Sequence, residues 1–482
     1  MRTLYVELCK SPTAAARKSM TGKVLLSLFG RPDLPLSRAP YAAIGLTLAI
    51  VKYAGDVLLI WYATGVRWTP FDYLDPFKLP LLHRVENAQF GITLILMLWM
   101  VPFLWIGVVY TMRRALDAGW SPWWALAFFV PYLNYGLIFT LCIWPSSDKY
   151  AVGERGRTPV HGSPANSVAL GIAAGVVFAL AMIGVAVVLK GAYAFGLFLG
   201  TPLGMGILAG YFMSRDYDPS NMDFFFVSLA ANGVAAMVLL AVAFEGAICI
   251  AMAFPISLLM TYGGAYVGCE IAIGGRAIRR PAASAMLLIP LLTLFEPAHI
   301  GARQLHVVNS SIEINASPAA IWPHLIEFQP IAPPQEFMFR IGIAYPTRSH
   351  TDGAGIGATR YCEFSTGAVV ERVTTWDPGK RLSFDVESQP APMVELTPYK
   401  DVEPPHLHGY VRSKQGEFRL VALPGGRTRL EGTSSYELDI EPETYWSLWT
   451  SASVHAIHMR VFEHIKHEVE FHAAQTSTAP LQ

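Results

Sequence analysis

Eight apolar stretches fill the first 297 residues, and then the hydrophobicity stops. Crossing a bilayer takes about 20 apolar residues in a helix, because the hydrocarbon core gives the backbone no other hydrogen-bond partner. The stretches run roughly over 41–64, 90–112, 123–144, 165–189, 192–213, 224–244, 247–268 and 282–298. The last is short and ends on Glu296-Pro297, so eight is the best count and seven also fits. From about residue 306 the chain reads as a water-soluble α+β domain. The expected architecture is a polytopic α-helical membrane bundle of about eight spans followed by a soluble α+β domain. The expected parts are 1–150 with about three spans, 151–300 with about five, and a soluble module over 301–482.

Charged residues make up 15% of the chain, against about a quarter in soluble domains. The net charge of zero hides an asymmetry: from Gly301 onward 15 Lys and Arg face 21 Asp and Glu. An acidic module is a poor partner for nucleic acid, which needs clustered positive charge. The five cysteines show no metal spacing, so neither a metal site nor a cofactor is expected. Cys362 alone lies in the tail, which excludes a disulfide within it. The early apolar run over 24–29 is too short for a signal peptide, so insertion through the first span is expected.

Arg2, Lys10, Arg17, Lys18, Lys23, Arg31 and Arg38 precede the first span and place the N-terminus inside. Arg113-Arg114 agrees; Arg276, Arg279 and Arg280 would lie outside and disagrees. An even span count puts the tail in the cytoplasm, and the plasma (bacterial inner) membrane is the expected location. Nothing in the sequence sets the oligomeric state.

Lys52 and Asp56 lie within the first span at i, i+4, where they can pair on one helix face. They read as a self-neutralising structural pair or as part of a transport path. Asp72 and Glu86 read as solvated loop charges. Residues 165–298 carry no motif, but their Gly and Ala content permits close helix packing.

Residues 113–124 read R-R-A-L-D-A-G-W-S-P-W-W. They resemble the signature R-R-x-H-D-x-G-x-S-G-W-W of a family of small bacterial inner-membrane proteins of unknown function. Arg113, Arg114, Asp117, Gly119, Ser121, Trp123 and Trp124 match, whereas Leu116 and Pro122 replace the usual His and Gly. Gly30-Arg31, Ser37-Arg38 and Tyr41 resemble the family's opening, and the likeness covers roughly 26–146. Read physically, both arginines sit at the lipid headgroups, Asp117 neutralises them, and Trp123-Trp124 anchor the next helix in the interface.

The tail opens with a strand over 306–315, then Ser317 as N-cap and Pro318 at the first position of a helix over 319–328. Strand-like runs follow over 357–365, 368–376, 381–387, 408–412, 417–423 and 428–440. Turn signals separate them at Thr366-Gly367, Asp377-Pro378-Gly379, Lys414-Gln415-Gly416 and Pro424-Gly425-Gly426. A long helix over 442–471 closes the chain. This order makes an antiparallel sheet curled around one helix. It resembles the START/polyketide-cyclase (SRPBCC, helix-grip) superfamily over about 305–471. The matching pieces are 314–318 through Ile321-Trp322, 355–360, the turn at 364–367 with Glu371 and Trp376 beyond it, and 425–430. The resemblance implies an apolar cavity between sheet and long helix, holding a lipid or another hydrophobic molecule.

In the last helix Val454, Ile457, Val461 and Ile465 form one apolar stripe, with His458 inside its arc and His455 at its flank. His458, with Trp446 and Trp449, is expected to face the sheet; His464, His467 and His472 are expected in solvent. An inward His458 reads as a core histidine bonded to a neighbour, a polar contact for a ligand, or an acid/base catalyst. Arg360 and Glu371 flank the Gly367 turn at offsets of seven and four, so a buried pair and opposite faces both remain open. The candidate ligand contacts are Trp322, Arg360, Glu371, Trp446, Trp449, His455 and His458. His458, Arg360 and Glu371 are the catalytic candidates. The expected function is a membrane-anchored binding protein for a hydrophobic small molecule or lipid, with membrane lipids as further partners. The alternatives are a cyclase-like enzyme and a transporter or channel regulated by the tail.

Overall fold

The computed structural model describes residues 34–478, apart from 66, 75–89, 130–132, 148–163, 190, 192, 216–217, 274–288, 294, 297–302, 398 and 400–403. The basic residues from Arg2 to Arg31, Glu86, Lys190, Arg276, Arg279, Arg280, and most of the expected 282–298 span lie outside the described residues. Contacts divide the chain into two compact units. One comprises Met1–Lys190, Leu199–Ala243 and Phe254–Phe295; the other comprises Gly191–Phe198, Phe244–Ala253 and Glu296–Gln482.

The first unit is helical: α1 Arg38–Thr64, α2 Phe90–Asp117, α3 Leu133–Ile143, α4 Pro164–Ile183, α5 Thr201–Met213, α6 Asn221–Ala241 and, from Phe254 on, α7 Ala247–Ile273, whose first turns belong to the second unit. Five helices among the described residues are long and apolar enough to cross a membrane: Arg38–Tyr62, Ala165–Val187, Gly196–Met213, Asn221–Ala241 and Ala247–Ile273. Leu46, Ile50 and Leu58 on α1 and Leu259 on α7 lie exposed, an apolar surface that lipid covers and water does not tolerate over large patches. The chain is thus an integral membrane protein; the expected count of eight spans rests partly on residues outside those described. The expected third span is divided between a 3₁₀ helix, Pro122–Phe129, and α3.

Glycine spacing explains the packing of α4, α5 and α7. Gly171 and Gly175, Gly206 and Gly210, and Gly264 and Gly268 each repeat at four residues. A methyl group on Gly206 or Gly210 would overlap the carbonyl oxygens of Thr261 and Ala265, and one on Gly264 or Gly268 those of Leu203 and Ile207. Backbones this close gain dispersion contacts that lipid cannot match. Asn232 on α6 adds a polar tie, donating to Thr261 Oγ1 at 3.1 Å.

Three membrane-side expectations are corrected or sharpened. The Arg114 side chain does not face the headgroups: it is fully buried. It donates to Leu141 O at 2.8 Å, to Trp144 O, and to Asp117 Oδ2 at 2.6 Å. The carbonyls ending α3 lack helical partners, and Arg114 supplies them. Asp72 is buried rather than solvated, accepting from Thr69 N at 2.6 Å and Thr69 Oγ1 at 2.9 Å. Lys52 pairs with Asp56, and Tyr73 Oη also donates to Asp56, so the pair is neutralised locally.

The second unit holds a seven-stranded antiparallel sheet in the order β1-β7-β6-β5-β4-β3-β2. Its strands are β1 Leu305–Ile314, β2 Pro346–Asp352, β3 Thr359–Phe364, β4 Gly367–Asp377, β5 Arg381–Ser388, β6 Val411–Ala422 and β7 Thr428–Leu438. Helix α8, Pro318–Ile326, follows β1 with Ser317 as N-cap, then the short α9, Phe337–Arg340. Helix α10, Glu443–Thr478, packs on β1 and β7 and turns its Val461 and Ile465 side into the core with Ile314, Leu382 and Leu430. Gly432 lets the Phe462 ring lie against β7, where a methyl group would meet Phe462 Cζ at 2.5 Å. A curved antiparallel sheet closed by one long C-terminal helix is the expected helix-grip fold. The strand reading needs two corrections. Residues 408–412 and 417–423 do not form separate strands: β6 runs continuously through Lys414-Gln415-Gly416, with a bulge between Ser413 and Gln415. The polar β2 was not expected at all.

Candidate functional site

Between the sheet and α10 of the second unit lies a cavity of about 250 Å³. Much of its wall is apolar, including Ile343, Phe364, Val369, Phe418 and Val461. From α10 come Trp446, Trp449, Val454, Ile457 and His458. Cys249 and Met252 reach it from the Phe244–Ala253 segment of the same unit.

Two polar clusters in the wall are internally partnered. Arg360 on β3 sits directly opposite Glu371 on β4, and the two form a buried ion pair. Arg360 Nε also donates to Leu325 O at 3.3 Å. Its guanidinium lies 5.4 Å from the Phe384 ring centre and 5.6 Å from that of Phe418. Burial works against this charge, but Glu371 and Cys362 together outweigh it, so Arg360 keeps its proton. Burial pushes the Glu371 carboxyl above its usual range, with Arg360 opposing. Of the two readings open in the sequence, the paired one is the geometry found.

His458 is buried and faces the sheet. Its Nε2 lies 2.8 Å from Ser434 Oγ, which lines the cavity, and its Nδ1 lies 3.0 Å from Ser310 Oγ. Ser310 Oγ in turn lies 2.7 Å from Nδ1 of the exposed His455. Burial, then the neighbouring His455, push His458 down to about 4, so it is neutral at neutral pH. One imidazole nitrogen then donates and the other accepts. Each serine hydroxyl can satisfy either direction of the chain.

The other expected residues fall as follows. Trp446 and Trp449 line the cavity. Trp322 does not: it is buried in the core, edge-on to Trp376 with ring centres 5.8 Å apart. His455 stands outside the cavity, linked to it through Ser310 and then His458. His464 is half-buried against Phe328, contrary to its expected solvation, because it lies on the arc that meets α8 and the loop after it. His467 is exposed, and the His472 side chain lies outside the described residues.

Sequence reasoning missed Cys249 and His406, which also line the cavity. Cys249 Sγ lies 2.7 Å from His406 Nε2, and His406 Nδ1 lies 3.6 Å from Glu245 Oε1. Tyr193 Oη donates to the same Glu245 oxygen at 3.3 Å. Glu395 accepts from the backbone N–H groups of Ile248 and Cys249 at 3.1 and 3.2 Å, capping the start of α7. Burial, then the charge of Glu395, push Glu245 up to about 8; burial, then His408, push His406 down to about 4. Residues 157 apart in sequence carry no spacing signal.

Residues 35–151 match the family described as "Protein of unknown function (DUF805)". The membrane family that the sequence resembles is thus present in the N-terminal region, and its description names no activity. No curated protein matches the chain. Matches to solved structures cover about a third of the chain. A truncated norcoclaurine synthase from Thalictrum flavum is 13% identical, with 35% of this chain and 96% of that chain covered and a TM-score of 0.23. The Zhui aromatase/cyclase from a Streptomyces species is 14% identical, with 35% and 94% covered and a TM-score of 0.22. The Aha1 dimer from Colwellia psychrerythraea is 15% identical, with 33% and 96% covered and a TM-score of 0.21.

Proposed function

We propose that the second unit binds a hydrophobic small molecule, or a single acyl chain of a lipid, in its cavity, and that the membrane helices keep it beside the bilayer from which that guest partitions. The observation that carries this reading is the cavity: about 250 Å³ of space whose walls are mainly apolar, with two fixed polar stations at Arg360–Glu371 and His458–Ser434. Ligand sites commonly measure about 300–1,000 Å³ and place a few convergent polar groups in apolar walls. A volume just below that range suits a small guest rather than a whole phospholipid.

The test uses the full chain in nanodiscs. Lipid extraction and mass spectrometry identify the guest, and displacement of a fluorescent fatty acid measures binding. Val454→Trp fills the space and should weaken binding at least about tenfold, since each 1.4 kcal/mol of lost contact is a factor of ten. A chain that carries no guest and binds no apolar probe ends the reading. The proposed site of action is the cytoplasmic face of a bacterial inner membrane, following the basic residues before the first span; reporter fusions at each terminus test it.

One observation favours a second reading, acid/base chemistry on the guest. The chain His455–Ser310–His458–Ser434 links an exposed imidazole to a hydroxyl in the cavity wall. A neutral imidazole, with one nitrogen protonated and the other bare, can hand a proton along such a chain. Incubation of the extracted guest with wild type and His458→Gln decides it: a guest recovered chemically unchanged from both removes the catalytic role.

A further inference from the structure

We propose that Glu245, Cys249 and His406 form a binding site for a thiophilic divalent transition-metal ion of the zinc class, set in the cavity wall. One donor atom from each residue lies within 4.8 Å of the other two. All three belong to the second unit. The observation pointing to a cation is what the cluster leaves unsatisfied. Among the described residues, Glu245 Oε2 and His406 Nδ1 are buried without a hydrogen-bond partner. A buried orphan costs about 1–3 kcal/mol, so two adjacent ones need a physical reason. A cation held on Cys249 Sγ and His406 Nε2 takes up Glu245 Oε2 directly and leaves His406 Nδ1 to Glu245 Oε1, 3.6 Å away.

The donor chemistry selects the ion. A thiolate and a carboxylate together carry two negative charges, matched by one divalent cation. Thiolate and imidazole favour zinc and its neighbours over magnesium and calcium. Tetrahedral bonds of about 2.3 Å to sulfur and about 2.0 Å to nitrogen separate those atoms by roughly 3.5 Å. The present Sγ–Nε2 distance of 2.7 Å must therefore open by about 0.8 Å. Three protein ligands leave a fourth position free. Cys249 and His406 both line the cavity, so that position is open to a polar group of whatever occupies it. The site does not depend on the identity of the guest.

The full chain in detergent, stripped with chelator, is titrated with cobalt(II). One equivalent should give tetrahedral ligand-field bands and a thiolate-to-cobalt charge-transfer band, both abolished by zinc. Cys249→Ser should lose the charge-transfer band, Glu245→Gln should weaken cobalt binding at least tenfold, and Cys142→Ser should leave both properties as in wild type. If Cys249→Ser does not fold, alkylation of the wild-type chain replaces it: zinc should slow labelling of Cys249 at least tenfold and leave Cys142 labelling unaffected. Wild type without the charge-transfer band, a band that survives Cys249→Ser, or Cys249 labelling indifferent to zinc overturns the proposal.

Discussion

Removing one member of the Arg360–Glu371 pair should destabilise the second unit unequally, depending on which member goes. Both side chains are buried, with 2% and 8% of their surface exposed, so neither charge can turn to water. Breaking a buried pair typically costs about 3–5 kcal/mol. Glu371→Leu should fall at the upper end, because guanidinium cannot shed its proton and would remain charged among Phe328, Phe384 and Phe418. Arg360→Met should fall at the lower end, because a stranded carboxyl can take up a proton and become neutral. For a unit of this size, about 2–4 °C per kcal/mol gives a fall in Tm of about 6–20 °C. The double variant Arg360→Met/Glu371→Leu should recover most of the loss, since apolar packing replaces an ion pair at little net cost. The assay is thermal unfolding of the full chain in nanodiscs, followed by near-UV circular dichroism, where the packed Trp322–Trp376 pair reports on the fold. The reasoning fails if both single variants melt within about 2 °C of wild type, or if the double variant melts as low as the worse single one.

His458 should make stability depend on pH. Its folded pKa of about 4 lies below the ordinary value of 6.5, so the unfolded chain binds the proton more tightly. The stabilisation is complete above pH 6.5 and is lost as pH falls toward 4, by up to about 3 kcal/mol. Denaturation of His458→Gln over that range should show a shallower slope; an unchanged slope removes the assignment. In the membrane unit, Gly206→Leu or Gly210→Leu should force α5 from α7, with a cost of at least about 1–3 kcal/mol from overpacking. Gly136→Leu, where nothing lies within 4 Å, is the control, and equal thermal shifts in both would refute the packing argument.

Particular residues show where the sequence was legible. Ser317-Pro318 marked the start of α8, and the Val461/Ile465 stripe correctly gave the inward side of α10. Both signals are local and periodic. β2 was invisible because P-T-R-S-H-T-D carries no run of alternating apolar residues. β6 was split because Gly416 reads as a turn, whereas its missing side chain makes room for the Phe384 ring. The Arg360–Glu371 register escaped because offsets were taken from Gly367. Phe364 pairs with Gly367, so the hairpin centre lies between Ser365 and Thr366, and from that centre the two residues are equidistant. Arg114 escaped for a different reason: its acceptors, Leu141 O and Trp144 O, are backbone atoms, to which residue identity gives no clue.

Buried charge separates the structural parts of this protein from the chemical ones. Lys52–Asp56, Arg114–Asp117 and Arg360–Glu371 each join opposite charges within hydrogen-bond reach, and each adds a further partner: Tyr73, the end of α3, or Leu325 O. Such groups explain themselves, because satisfied pairs rigidify the elements that carry them. Glu245 and His406 differ. Their contact is 3.6 Å, and each keeps a buried atom unmatched among the described residues. Folding alone favours an apolar pair at such a position. A cluster that forgoes that gain beside a thiol, on the wall of a cavity, is the observation on which the proposed metal site rests.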